Sequence, residues 1–114
     1  MDDSKALAAL SALSQATRLD AFRMLVAHEP KGVAAGEIAR ALCVPQNTLS
    51  AHLAVLTQAG LATSERHSRS IIYRADLSHL RALVLFLLKD CCGGRPDVCS
   101  PILADISPCS PRKA

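Results

Sequence analysis

The sequence predicts a mainly α-helical domain carrying one small β-hairpin, an α+β fold. Three observations carry that expectation. Apolar residues recur at helical spacing in five stretches between residues 4 and 90. Two of these, 37–43 and 45–59, stand almost end to end, so the chain must turn sharply between two helices. Two short β-prone runs, 61–65 and 71–74, flank a polar tip. A chain of 114 residues fits one compact domain. Half the residues are hydrophobic and the mean hydropathy is +0.23, enough for a packed core and too apolar for intrinsic disorder.

Each element has its own local reason. Ala6, Leu7, Leu10 and Leu13 mark a first helix over about residues 4–13. Thr17 is the expected N-cap of a second helix, with Asp20 near its positive end. Leu19, Phe22, Met24, Leu25 and Val26 give that helix a broad apolar face as far as His28, and Pro30 and Gly32 end it. Ile38, Ala39 and Leu42 form the face of a third helix, and Cys43 is expected as a buried thiol of the same face. Pro45 suits the first turn of a fourth helix, where a missing N–H costs nothing. That helix buries Leu49, Leu53 and Leu56 and runs to Ala59, with Gly60 placed for a left-handed C-terminal cap.

After the hairpin, Asp76 is the expected cap of a last helix from Leu77 to Asp90. Its apolar side chains (Leu77, Leu80, Leu83, Val84, Leu85, Phe86, Leu87, Leu88) surround nearly the whole helix. A domain this small can hardly bury them all, so a homodimer interface is expected there. Cys91-Cys92-Gly93-Gly94 breaks the helix, and Pro96, Pro101, Pro108 and Pro111 punctuate the C-terminal stretch. The expected organisation is therefore a domain over residues 1–90 and a cysteine- and proline-rich tail over 91–114.

Several function classes fall away. The longest apolar run, Ala82 to Leu88, is seven residues, against the ~20 needed to cross a bilayer. The chain opens with Met1-Asp2-Asp3 and no hydrophobic signal comes after it, so a cytoplasmic protein without a membrane partner is expected. No Cys-x-x-Cys occurs and no glycine-rich phosphate loop comes after a strand, so no enzyme is expected. Residues 1–60 hold five basic and five acidic groups, whereas 61–114 hold eight basic and five acidic. All of the net +3 thus lies in the second half, which is compatible with a local anion-binding patch.

Two helices, a helix-turn-helix, a hairpin and a final helix make the element order of a winged helix-turn-helix domain. Three segments carry a closer likeness. Residues 12–19 (ALSQATRL), 42–53 (LCVPQNTLSAHL) and 59–61 with 65–73 (AGL and ERHSRSIIY) resemble the opening, recognition-helix and wing segments of the ArsR/SmtB family of dimeric metal-responsive repressors. The family usually has Ser where Pro45 stands and Gly where Ser68 stands.

An α-helix fits the major groove, and polar side chains on its first turns reach base edges. Gln46, Asn47, Thr48, Ser50 and His52 are the candidates on the second helix of the pair. Arg66, Arg69 and Arg74 of the wing are candidates for phosphate or minor-groove contacts. The expected partner is double-stranded operator DNA, bound by a homodimer on an inverted repeat.

The resemblance also implies a sensor. Of five cysteines, Cys91, Cys92, Cys99 and Cys109 fall in the last 24 residues. An odd number of thiols in a reducing compartment points to metal binding or sensing rather than to a disulfide framework. The family's zinc site on the last helix is poorly matched, since Asp76 and His79 lack a second pair and His79 reads as a surface residue. Cys91 and Cys92 diverge on a regular helix, but Gly93-Gly94 lets the chain unwind and Pro96 favours a turn that returns Cys99. Three thiolates without imidazole suit a thiophilic ion. The site residues expected are Cys91, Cys92 and Cys99, with As(III) as inducer, Sb(III) as its close analogue and no organic cofactor. This cluster resembles that of arsenic-responsive members with ligands after the last helix. A redox- or persulfide-responsive repressor, or a Zn/Cd sensor using the same thiols, is the alternative.

Overall fold

In the computed structural model of the chain, residues 1–91, Pro101 and Asp105 are described. The order is α1 (Asp3–Leu13), α2 (Ala16–Ala27), β1 (Val33–Ala34), α3 (Ala35–Leu42), α4 (Gln46–Gln58), β2 (Ala62–His67), β3 (Ser70–Ala75) and α5 (Leu77–Cys91). All five anticipated helices and the hairpin are present.

Asp2 caps α1 by accepting the Lys5 N–H at 2.8 Å. The buried face of α1 is Ala6, Ala9 and Ala12, so small side chains let α1 lie close on α2, α4 and α5. Leu7 and Leu10, which belong to the apolar spacing that marks the helix, point outward at 66% and 40% exposure. The cap of α2 is Gln15 rather than Thr17. Gln15 has the extended backbone an N-cap needs, and its side chain accepts the Arg18 N–H at 2.9 Å; Thr17 already lies inside the first turn. Ala21, Phe22 and Leu25 are the part of α2 that enters the core.

β1 is a strand that periodicity did not reveal, because two residues cannot show an alternation. It pairs antiparallel with β3, giving a three-stranded sheet in the order β1-β3-β2. The β2–β3 register runs from Ala62 opposite Ala75 to His67 opposite Ser70. Ser68 and Arg69 form the tip between them, and Ser68 takes a positive φ of 57°, which a glycine would adopt without strain.

α3 and α4 are separated by Cys43, Val44 and Pro45. Cys43 is in the left-handed region (φ 57°, ψ 44°) as the C-cap of α3, and it is exposed. That corrects the expectation of a buried thiol: the left-handed step carries its side chain off the apolar face, with Sγ near the Arg40 carbonyl oxygen at 3.8 Å. α4 sits on Leu49, Leu53 and Leu56, all fully buried. It ends as its sequence requires, with Gly60 at φ +87° and the Leu61 N–H bonded back to the Leu56 carbonyl at 3.0 Å.

Asp76 caps α5, accepting the His79 N–H at 3.1 Å and the Ser78 hydroxyl at 2.8 Å. Leu83 is buried, and Leu80, Phe86 and Leu87 pack against the core, while Leu77 and Leu85 remain 44% and 45% exposed. His79 is not the surface residue its sequence context suggested. Its ring lies over Gly60, and its Nε2 is buried without a hydrogen-bond partner among the described residues. Among the described residues no helix is long and apolar enough to cross a membrane.

Candidate nucleic-acid interface

Burial of Leu49, Leu53 and Leu56 fixes how α4 is rolled, and that roll decides which polar side chains face out. Gln46, Asn47, Thr48 and Ser50 are all exposed, on the first turns of the helix. Pro45 offers no side-chain cap, and Asn47 Oδ1 accepts the Thr48 N–H at 2.9 Å. Gln46 and Ser50 line a cleft of about 390 Å³ whose other walls are the start of α3 and the wing strand β3. Arg69, at the wing tip, lines the same cleft. The fold therefore brings the first turns of α4 and the wing tip onto one face.

The remaining candidates divide. Arg66 is exposed like Arg69, and neither forms an ion pair among the described residues. His52 is half-buried, and its Nδ1 lies 3.3 Å from Arg18 Nη1. A guanidinium only donates, so Nδ1 is the unprotonated nitrogen in this contact. Arg18 in turn donates through Nε to the Ala12 carbonyl at 2.7 Å. His52 is thus tied inward to the α1–α2 junction and supports the helix rather than lying free on it.

Arg74 is likewise engaged. Its Nη2 lies 3.1 Å from Glu29 Oε1, and the hydrogen bond and charge of Glu29 push its pKa above the ordinary arginine value. Glu29 is largely buried, with Oε2 lacking any partner among the described residues. The pair ties the wing sheet to the loop after α2. Sequence spacing could not show either engagement, because the partners lie 34 and 45 residues apart. Glu37 and Arg40 also line the cleft; the apolar period of α3 fixes only its buried face and gives no signal for these polar residues.

The expected thiol site lies almost wholly outside the described residues: Cys92, Cys99 and Cys109 are not among them, and Cys91 is placed only as the last residue of α5. Among the described residues no group of three or more His, Cys, Asp or Glu side chains is placed to hold a metal.

With this geometry in place, known proteins give a consistent comparison. A family model described as a helix-turn-helix domain matches residues 13–65. The transcriptional repressor SmtB of Mycobacterium tuberculosis is 45% identical over 49 residues, covering 43% of this chain and 36% of that protein. The chain thus spans little more than a third of that curated relative. An ArsR-like transcriptional regulator from Rhodococcus sp. RHA1 superposes with a TM-score of 0.68 at 24% identity, covering 96% of both chains. The crystal structure of a possible transcriptional regulator for arsenical resistance is 30% identical, covers 69% of this chain and 82% of its own, and gives a TM-score of 0.57.

The chain belongs to the ArsR/SmtB family. Its three-stranded wing and five helices are the winged helix-turn-helix fold of the regulators it matches. One of these, from Mycobacterium bovis, is described as a homodimeric winged helix-turn-helix DNA-binding domain (24% identity, 75% of this chain and 83% of that one, TM-score 0.63). These relatives are transcriptional regulators and not enzymes.

Proposed function

We propose that this ArsR/SmtB chain is a transcriptional repressor that holds operator DNA as a homodimer and releases it when As(III) binds its C-terminal thiols. The observation that carries the DNA-binding part is the shared face: Gln46, Asn47, Thr48 and Ser50 stand exposed on the first turns of α4, and the free wing arginine Arg69 lines the same cleft as Gln46 and Ser50. Asn47 offers the donor–acceptor pair that reads adenine in the major groove. Arg66 and Arg69 supply charge to the backbone, which fixes register without reading sequence. The exposed leucines of the neighbouring helices α1 (Leu7, Leu10) and α5 (Leu77, Leu85) supply the apolar surface for a second copy.

Cys91, Cys92 and Cys99 are the proposed inducer ligands, with As(III) and its analogue Sb(III) favoured by an all-thiolate set. The similarity to a possible regulator for arsenical resistance supports that choice. A physical route to α4 exists in the other end of α5. The Asp76 N–H bonds to the Leu61 carbonyl at 2.8 Å, and His79 lies over Gly60, so the start of α5 is built onto the end of α4. A shift of α5 at its cysteine end is thereby tied to the pose of α4. A coupling of ~1–3 kcal/mol gives 5–150-fold weaker DNA binding, enough for induction.

The test uses the reduced full-length protein. Asn47→Ala should lose about 1–3 kcal/mol of preference for the operator over random duplex, with random-duplex affinity kept. Cys91→Ser and Cys92→Ser should bind operator normally and ignore arsenite. Arsenite release retained in either variant contradicts the inducer assignment, and release by oxidants or Zn²⁺ but not arsenite replaces it.

A further inference from the structure

The cleft beside α4 has a third wall that the wing and the recognition helix do not account for. α3 begins immediately after β1, and its N-cap, Ala34, has no side chain able to cap it. The second residue of α3 is Gly36. A Cβ built there would meet nothing closer than Arg40 Nη1 at 3.9 Å and Gln46 Nε2 at 4.0 Å. Two donor nitrogens, one from α3 and one from α4, thus stand over a stretch of bare backbone. Arg69 and Ser70 bound the same cleft from the wing. Arg40 and Arg69 are exposed and form no ion pair among the described residues, and the one carboxylate lining the cleft is that of Glu37. The cleft therefore carries a net positive charge, with two donor nitrogens about 4 Å from a position that no side chain among the described residues fills.

The geometry points to a seat for one backbone phosphate of the bound duplex, held by Arg40, Gln46 and the first turn of α3 at Gly36, and closed from the wing by Arg69. The assignment rests on the DNA-binding reading above and deepens it, adding α3 to the contact surface. A guanidinium matches phosphate oxygens with two parallel N–H bonds. The uncapped amides and dipole of the first turn of α3 favour an anion, and the absent Cβ lets the phosphate come close to them. Such a contact sets how deeply α4 enters the groove but reads no sequence. Its signature is therefore an equal loss on every duplex together with a shallower salt dependence.

The experiment measures anisotropy of the reduced full-length protein on a duplex from its own upstream region and on a scrambled duplex, across a KCl series. Wild type, Arg40→Ala, Arg40→Lys and Gly36→Ala are compared, with thermal melts as the check on folding. Arg40→Ala should weaken both complexes by a similar factor, about tenfold, and lower the slope of log affinity against log salt by about 0.9. Arg40→Lys should keep the wild-type slope yet bind more weakly, because the charge remains and the fork is lost. Gly36→Ala has open space and a helical backbone, so it should melt no lower than wild type and still bind both duplexes several-fold more weakly. Wild-type binding and slope in Arg40→Ala, a loss confined to the operator duplex, or wild-type binding by Gly36→Ala would overturn the seat while leaving DNA binding intact. Failure of the wild type on both duplexes would overturn the DNA-binding reading, and this seat with it.

Discussion

Replacing Gly60 by Ala tests the junction on which coupling between α5 and α4 depends. Gly60 has φ +87°, where an L-residue costs roughly 1–2 kcal/mol. The added Cβ would stand 2.7 Å from His79 Cε1, 2.9 Å from Nε2 and 3.0 Å from Nδ1, so the imidazole must move. Forcing a packed ring aside costs about 1–3 kcal/mol, and the stiffer unfolded chain returns about 0.4–1 kcal/mol. The net loss is therefore about 1–5 kcal/mol, a large share of the ~5–15 kcal/mol that holds a typical domain. Urea unfolding at fixed protomer concentration measures it, because a dimer's apparent stability depends on concentration. Adding His79→Ala separates the two contributions: the double variant should show the left-handed strain without the clash, so Gly60→Ala costs less in that background. A Gly60→Ala protein as stable as its parent would refute the packing of α5 on the end of α4. A cost unchanged by His79→Ala would assign the effect to the backbone alone.

Three other substitutions have expected outcomes. Cys43→Gly should raise stability by about 0.5–1 kcal/mol in urea unfolding, because glycine relieves the left-handed C-cap of α3, and should leave the arsenite response intact; a loss of that response would make Cys43 an inducer ligand. Asp76→Ala should cost about 1 kcal/mol through loss of the α5 cap. The Ser78 hydroxyl, helped by the His79 amide and opposed by partial burial, holds the Asp76 carboxyl below its ordinary value of 3.8. Its contribution is therefore complete above that value and is lost as pH falls through the lowered one, so acid unfolding curves of wild type and Asp76→Ala should converge there. Arg74→Ala should destabilise the wing by leaving the largely buried Glu29 carboxylate unpaired, and Glu29→Gln in the same background should restore most of the melting temperature. No rescue would mean that Arg74 acts elsewhere.

The parts of this protein legible in its sequence are those with local causes. Helices with strong apolar periods or end signals, such as α4 between Pro45 and Gly60, could be bounded to within a residue or so. Asp76 could be recognised as a cap for the same reason, since the bond spans three residues. The outward turn of Leu7 and Leu10 was hidden because alanines, weak signals of burial, form the packed face of α1. The exposure of Cys43 depended on one left-handed residue that a helical wheel cannot represent. His52 and Arg74 are DNA-contact candidates by residue type, and only the tertiary fold shows that they engage Arg18 and Glu29. The cleft has no sequence signature because it is assembled from α3, α4 and β3, with one wall defined by the missing side chain of Gly36.

The most direct test is anisotropy of the reduced wild-type protein on labelled duplex from its own upstream region, against random duplex, and then titration with arsenite. The account predicts binding that falls steeply with salt, prefers the cognate duplex, and is released by near-stoichiometric arsenite. Equal affinity for both duplexes would contradict sequence reading by α4, and a complex that persists in arsenite would contradict the inducer.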